Sequence, residues 1–211
     1  LHLKEHKKTL IPMFGGLIFM ALIFYSFSFW APTMMIRAFN VSLSEVGLIL
    51  GLITIVSSII GTILAGSAVD YLRNKNYSDA PVRAAMIAVM LALPPIVMLS
   101  FVSSEIGAWI CIALYLLFIS SFAPLGLLAI SGVSTGSVKG QAAAIHAFLM
   151  MAFGLSLGPQ LTAFFTDFIF ADPNLLINSI SLSGLIVLPI SALLFKMSLR
   201  RYRESSQKIL A

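Results

Sequence analysis

Residues 43–75 read LSEVGLILGLITIVSSIIGTILAGSAVDYLRNK, and no charge interrupts the run between Glu45 and Asp70. A helix rises about 1.5 Å per residue, so crossing the roughly 30 Å hydrocarbon core of a bilayer takes about 20 apolar residues. This run is long enough, and it closes on a charged string suited to a membrane surface. The pattern recurs on both sides of it. Apolar stretches over about residues 10–36, 43–69, 82–102, 106–133, 140–166 and 175–199 predict six transmembrane helices in an all-α membrane protein. Pro94, Pro95, Pro124, Pro159 and Pro189 fall inside these stretches. In a bundle, neighbouring helices and hydroxyls can satisfy the carbonyls such prolines free.

Composition agrees. The chain is 59% hydrophobic and 10% charged, with a mean hydropathy of +1.02, where soluble domains carry about 25% charged residues. A chain of 211 residues cannot hide that much apolar surface in one core, so its outer solvent is a lipid bilayer. The net charge of +5 does not point to nucleic acid, because the cations cluster at the ends of apolar runs rather than on one face. A lone cysteine, Cys111, excludes an intramolecular disulfide. The first apolar run is too long for a signal peptide, and more membrane follows it in place of a polar domain.

Six spans put both termini on one side. That side collects Lys4, Lys7, Lys8, Arg73, Lys75, Arg83, Lys139, Lys196, Arg200, Arg201, Arg203 and Lys208, leaving Arg37 alone opposite. The acids divide evenly, with Glu5, Asp70, Asp79 and Glu204 against Glu45, Glu105, Asp167 and Asp172. A bias in Lys and Arg without one in Asp and Glu is the form the positive-inside rule takes. Both termini are therefore expected in the cytoplasm. Arg37 can draw an anionic headgroup or pair with Glu45, and the pair is the stronger expectation.

The string Gly66-Ser67-Ala68-Val69-Asp70-Tyr71-Leu72-Arg73-Asn74-Lys75 follows the second span. Its Gly-x-x-x-Asp-x-x-Arg pattern resembles the motif between the second and third helices of each half of the major facilitator superfamily. A glycine admits a close neighbour, and an interfacial carboxylate can accept from the N-terminus of a nearby helix. Gly66, Asp70, Arg73 and Lys75 are thus candidates for a conformational latch, or an ordinary charged hairpin end.

The resemblance narrows over the rest of the chain. Trp30-Ala31-Pro32 to Arg37, then Ser42-Leu43-Ser44-Glu45, Gly47 and Gly51, look like the seventh-to-eighth helix region of Spinster-like transporters. Lys139-Gly140-Gln141-Ala142 resembles the string that opens their eleventh helix. Gly158-Pro159, Thr166-Asp167, Asp172-Pro173 and Leu199-Arg200-Arg201-Tyr202-Arg203 continue the pattern in order. One departure is Met150-Met151-Ala152-Phe153, where the family often has an asparagine. The likeness implies helices seven to twelve of such a transporter, folded as two inverted three-helix repeats, with an N-terminal six-helix half missing. The start at Leu1 rather than Met suits a fragment of a multi-pass protein of the bacterial inner membrane. The likeness further implies alternating access for a small organic, amphiphilic or lipid-like substrate, with proton coupling open.

Gly47 with Gly51 and Gly154 with Gly158 form Gly-x-x-x-Gly pairs, and Gly61 with Ala65 repeats the spacing. Small residues one turn apart let helix backbones close up. The two glycine pairs fit a seam between transporter halves, or static packing within this one. No Asp, Glu, Lys or Arg lies deep in a span, so an acid for proton coupling is expected elsewhere. His146 is the one such titratable group at depth, as proton carrier or as hydrogen-bonded packing residue. Tyr25, Trp30, Ser57, Ser58, Ser120, Ser121 and Gln160 are the remaining candidates to line a cavity. Each has an ordinary reading too, as an interfacial aromatic or a hydroxyl bonded to its own helix.

His2, His6 and His146 cannot assemble a compact metal site on this topology, and neither a phosphate-binding glycine loop nor a Ser-His-Asp set is present. No cofactor is expected and no enzyme. An intramembrane enzyme would need a second catalytic group beside His146. A pump's permease subunit would need a larger coupling loop than residues 70–81. A self-contained six-span homodimer is the other alternative to a transporter half.

Overall fold

The computed structural model describes residues 7–133 and 138–210. His2, Lys4, Glu5 and His6 lie outside the described residues. Among those described, every regular element is helical. Six spans are long and apolar enough to cross a membrane: Thr9–Phe39, Leu43–Asn74, Ala80–Phe101, Glu105–Ser131, Lys139–Phe170 and Pro173–Ser206. The second runs a further turn beyond the apolar stretch that announces it, because the latch string Asp70 to Asn74 continues as helix.

Local chemistry sets the ends. Ser42 caps the second span, its Oγ accepting from the Glu45 N–H at 3.3 Å while the Glu45 carboxylate accepts from the Ser42 N–H at 3.2 Å. This reciprocal box satisfies two backbone donors that a helix start leaves orphaned. It also commits Glu45, which corrects the expected Arg37–Glu45 pair: Arg37 Nη1 donates instead to the Pro173 carbonyl at 3.3 Å. Asn40 and Asn76 turn the chain in the left-handed region, at φ 56° and 62°, a conformation asparagine tolerates better than most residues.

The fifth span is irregular. Two π-helical segments, Met150–Leu155 and Phe165–Phe170, bracket the α-helical stretch Ser156–Phe164 that contains Pro159. The fourth breaks between Ile119 and Phe122, just before Pro124.

The spans differ in how much they bury. In their most apolar windows the first, third, fourth and sixth bury 61, 39, 50 and 44%, whereas the second and fifth bury only 17 and 28%. The first packs most extensively against the sixth, and the sixth against the third. Leu48, Leu52, Ile55, Ile59 and Ile63 on the second span, with Phe148, Met151 and Leu155 on the fifth, remain exposed. The low burial falls on the same position in each successive set of three helices.

Candidate functional site

Aromatic side chains fill the seam where the first, fourth and fifth spans meet. Phe24, Tyr25 and Phe122 form a triangle with ring centroids 5.1 to 6.1 Å apart. Edge and tilted contacts at these separations suit aromatic quadrupoles. Toward the end that carries the termini, His146 stacks on Phe14 at 6.2 Å. A Cβ on Gly126 would strike this imidazole, so the glycine makes the seat. His146 is 3% exposed and its Nδ1 has no hydrogen-bond partner. It packs, therefore, with Nδ1 unpartnered among the described residues.

Hydroxyls tie the first, fifth and sixth spans at greater depth. Ser26 Oγ lies 2.6 Å from Thr162 Oγ1, which lies 2.9 Å from Ser183 Oγ, and Ser183 donates to the Ser179 carbonyl at 2.8 Å. Trp30 Nε1 donates to the Pro159 carbonyl at 2.9 Å, which fixes the indole against the same stretch of the fifth span. Of the hydroxyls singled out in the sequence, two are committed to backbone. Ser57 donates to the Ala113 carbonyl at 3.2 Å and Ser121 to the Phe118 carbonyl at 2.7 Å. Ser120 Oγ is buried without a partner, Ser58 is half-buried and Gln160 is exposed on the uncovered fifth span. The structure thus gathers Tyr25 and Trp30 with the fifth span, and His146 with Phe14, but leaves Ser57, Ser58, Ser120, Ser121 and Gln160 dispersed.

The latch string is open. Among the described residues nothing lies within 4 Å of a Cβ placed on Gly66. Asp70 meets Arg73 of its own helix at 3.9 Å with both side chains substantially exposed, and Lys75 sits 4.6 Å over the Tyr71 ring. Among the described residues the fully buried carboxylate at this end is Asp79, which the sequence shows only as one of the acids expected on this side. Arg83 Nη2 and Arg203 Nε donate to its Oδ2 at 3.1 and 2.8 Å. Tyr202 beside it donates to the Ala129 carbonyl at 2.8 Å. This clasp ties the start of the third span to the end of the sixth, and Tyr202 ties that end to the fourth. An acid just before a proline-led helix start was the available signal, since capping positions favour aspartate.

The glycine pairs part company. Gly47 and Gly51 have nothing within 4 Å of a built Cβ. Gly154 meets Ala21 and Tyr25, and Gly158 meets the backbone of Leu22 and Ser26. Of the two readings of Gly154 and Gly158, these contacts are those of packing within the bundle, where they close the fifth span onto the first. Among the described residues no three of His, Cys, Asp and Glu come together to hold a metal ion.

A six-helix membrane bundle with second and fifth spans uncovered, and a charged clasp at the terminal end, is a fold shared with half of a solved membrane protein twice its length. The chain is similar to the crystal structure of a bacterial homolog of the human lysosomal transporter Spinster in its inward-facing, occupied conformation. The TM-score is 0.66 at 14% identity, over 95% of this chain and 49% of that one. The inward-facing, unoccupied structure of a bacterial Spinster homolog gives 0.62 at 16% identity, over 99% of this chain and 49% of that one. The chain spans about half the length of the structures it matches. No protein-family signature matches it, and no curated protein does.

Proposed function

We propose that the chain works as the C-terminal half of a secondary transporter, moving a small amphiphilic organic molecule by alternating access. The observation that carries this reading is the uncovered apolar face of the second and fifth spans, with only 17 and 28% of their apolar windows buried. That face fits a second six-helix half rocking about a midplane site. Phe14, Phe24 and Tyr25, half-buried over Phe122 and His146, offer an apolar, aromatic wall, which suits an amphiphile better than a densely charged solute. Segregation of Lys and Arg supports both termini in the cytoplasm and a bacterial inner-membrane location. Asp70 and Arg73, exposed at that end, are the latch residues toward the second half.

The test is uptake into proteoliposomes of the complete transporter, this chain with its second half, using a fluorescent single-chain amphiphile and a hydrophilic sugar. Uptake of the amphiphile, lowered about tenfold in Asp70→Asn as expected for loss of an interaction of about 1.4 kcal/mol in one state, supports the proposal. An imposed proton gradient that fails to change the rate removes proton coupling. Absence of uptake of the amphiphile sinks the reading.

A further inference from the structure

A groove of about 490 Å³ runs between the third and sixth spans. Met86, Met90, Leu93, Pro189 and Leu193 line it, and Lys196 stands at one end. Met86 to Leu93 and Pro189 to Lys196 are each eight residues, a rise of seven steps, so the apolar channel is about 10 Å long. Methionine side chains adapt to a flexible guest. The single charge lies one turn deeper in the span than Arg200, so the ammonium sits where acyl chain gives way to headgroup.

An ammonium at that depth needs an anion or a route to water. The carboxylates near this end are committed among the described residues: Asp79 to Arg83 and Arg203, Glu204 to Arg200, and Asp70 to Arg73. Lys196 has no ion pair among them. A further apolar helix laid in the groove would bury this cation without a counter-ion. A single-chain apolar group bearing an anion satisfies both requirements together.

We infer that the groove holds an acyl chain of an anionic phospholipid whose phosphate pairs with Lys196. The lipid is a fixed component of the bundle face, distinct from any transported molecule. Arg200, one turn further along the sixth span, adds a second cation beside the headgroup, its charge shared with Glu204 at 3.3 Å.

Native mass spectrometry of the chain, released from micelles holding equal phosphatidylglycerol and phosphatidylcholine, tests it. The expected result is retention of phosphatidylglycerol over phosphatidylcholine by about fivefold, the preference one interfacial lysine confers. Lys196→Gln, on an exposed side chain, brings the ratio near one, and Ala192→Phe, which fills the groove, lowers retention of both lipids. Equal retention of the two lipids by the unaltered chain overturns the inference, as does an undiminished phosphatidylglycerol preference in Lys196→Gln. So does a chain that retains neither lipid and instead forms a dimer broken by Ala192→Phe.

Discussion

The Asp79 side chain is wholly buried, while its partners Arg83 and Arg203 are 23 and 46% exposed. Removing one member of an enclosed ion pair costs roughly 3–5 kcal/mol, and less where a partner keeps contact with water. Asp79→Asn is therefore expected to cost about 2 kcal/mol, or about 5 °C in unfolding midpoint for a chain of this size. Asp70→Asn disrupts only an exposed pair at 3.9 Å and should leave the midpoint within about 1 °C. Thermal unfolding of both variants in the same detergent decides it, and equal shifts would mean the clasp does not hold the bundle. Arg203 was not recognisable beforehand as a member of the clasp: it is 124 positions from Asp79, and it reads as one more base in a basic tail. Glycines give a second contrast. A methyl on Gly158 meets backbone, which cannot yield as a side chain can, whereas one on Gly47 meets open space. Gly158→Ala should lower the midpoint by several degrees. Gly47→Ala should hold or raise it, since alanine favours helix by about 1 kcal/mol. A destabilising Gly47→Ala would place that glycine inside the fold.

At the scale of elements, the fifth span separates what sequence carries from what it does not. Its apolar run announces a membrane helix, as do the other five, because a bilayer demands about 20 apolar residues whatever the detail of packing. Its two π segments leave no comparable mark. Shifting a hydrogen bond from the fourth to the fifth residue changes no side-chain requirement that Met150 to Leu155 would display. The Ser26–Thr162–Ser183 chain was illegible for a related reason, since a lone hydroxyl in an apolar helix reads as bonded to its own backbone until a partner helix is known. A π segment amounts to one residue inserted in an α-helix, and such segments concentrate at functional places. Deleting Met151 should restore α-helix there and keep the register on both sides. The expected outcome is an unfolding midpoint held or raised and, on the proposed transporter reading, amphiphile uptake falling more than about tenfold. Transport that survives the deletion would show the segment to be local packing rather than a hinge.

For the whole molecule, the decisive quantity is the apolar face of the second and fifth spans. Lipid can cover it, so exposure to a bilayer alone is not costly. Its composition nevertheless differs from a plain lipid-facing surface: Gly47 and Gly51 leave a shallow track in which a second helix can approach closely. Such a track earns stability only when filled. Two occupants fit, a second six-helix half or a second copy of this chain, and they predict different cross-links. With Cys111 replaced by Ala, the chain has no other cysteine, so Leu52→Cys and Phe148→Cys introduce single reporters on the two uncovered spans. If the face belongs to a transporter seam, Leu52→Cys should form a disulfide with a cysteine on the co-expressed second half and little with itself. The yield should change when substrate traps one conformation, because rocking alters separation along such a seam. A disulfide formed by Leu52→Cys with itself, insensitive to substrate and to the second half, would assign the face to a homodimer. The six spans would then be a working unit in pairs, and the aromatic wall around Tyr25 and His146 would have to bind its substrate without a second half to close over it.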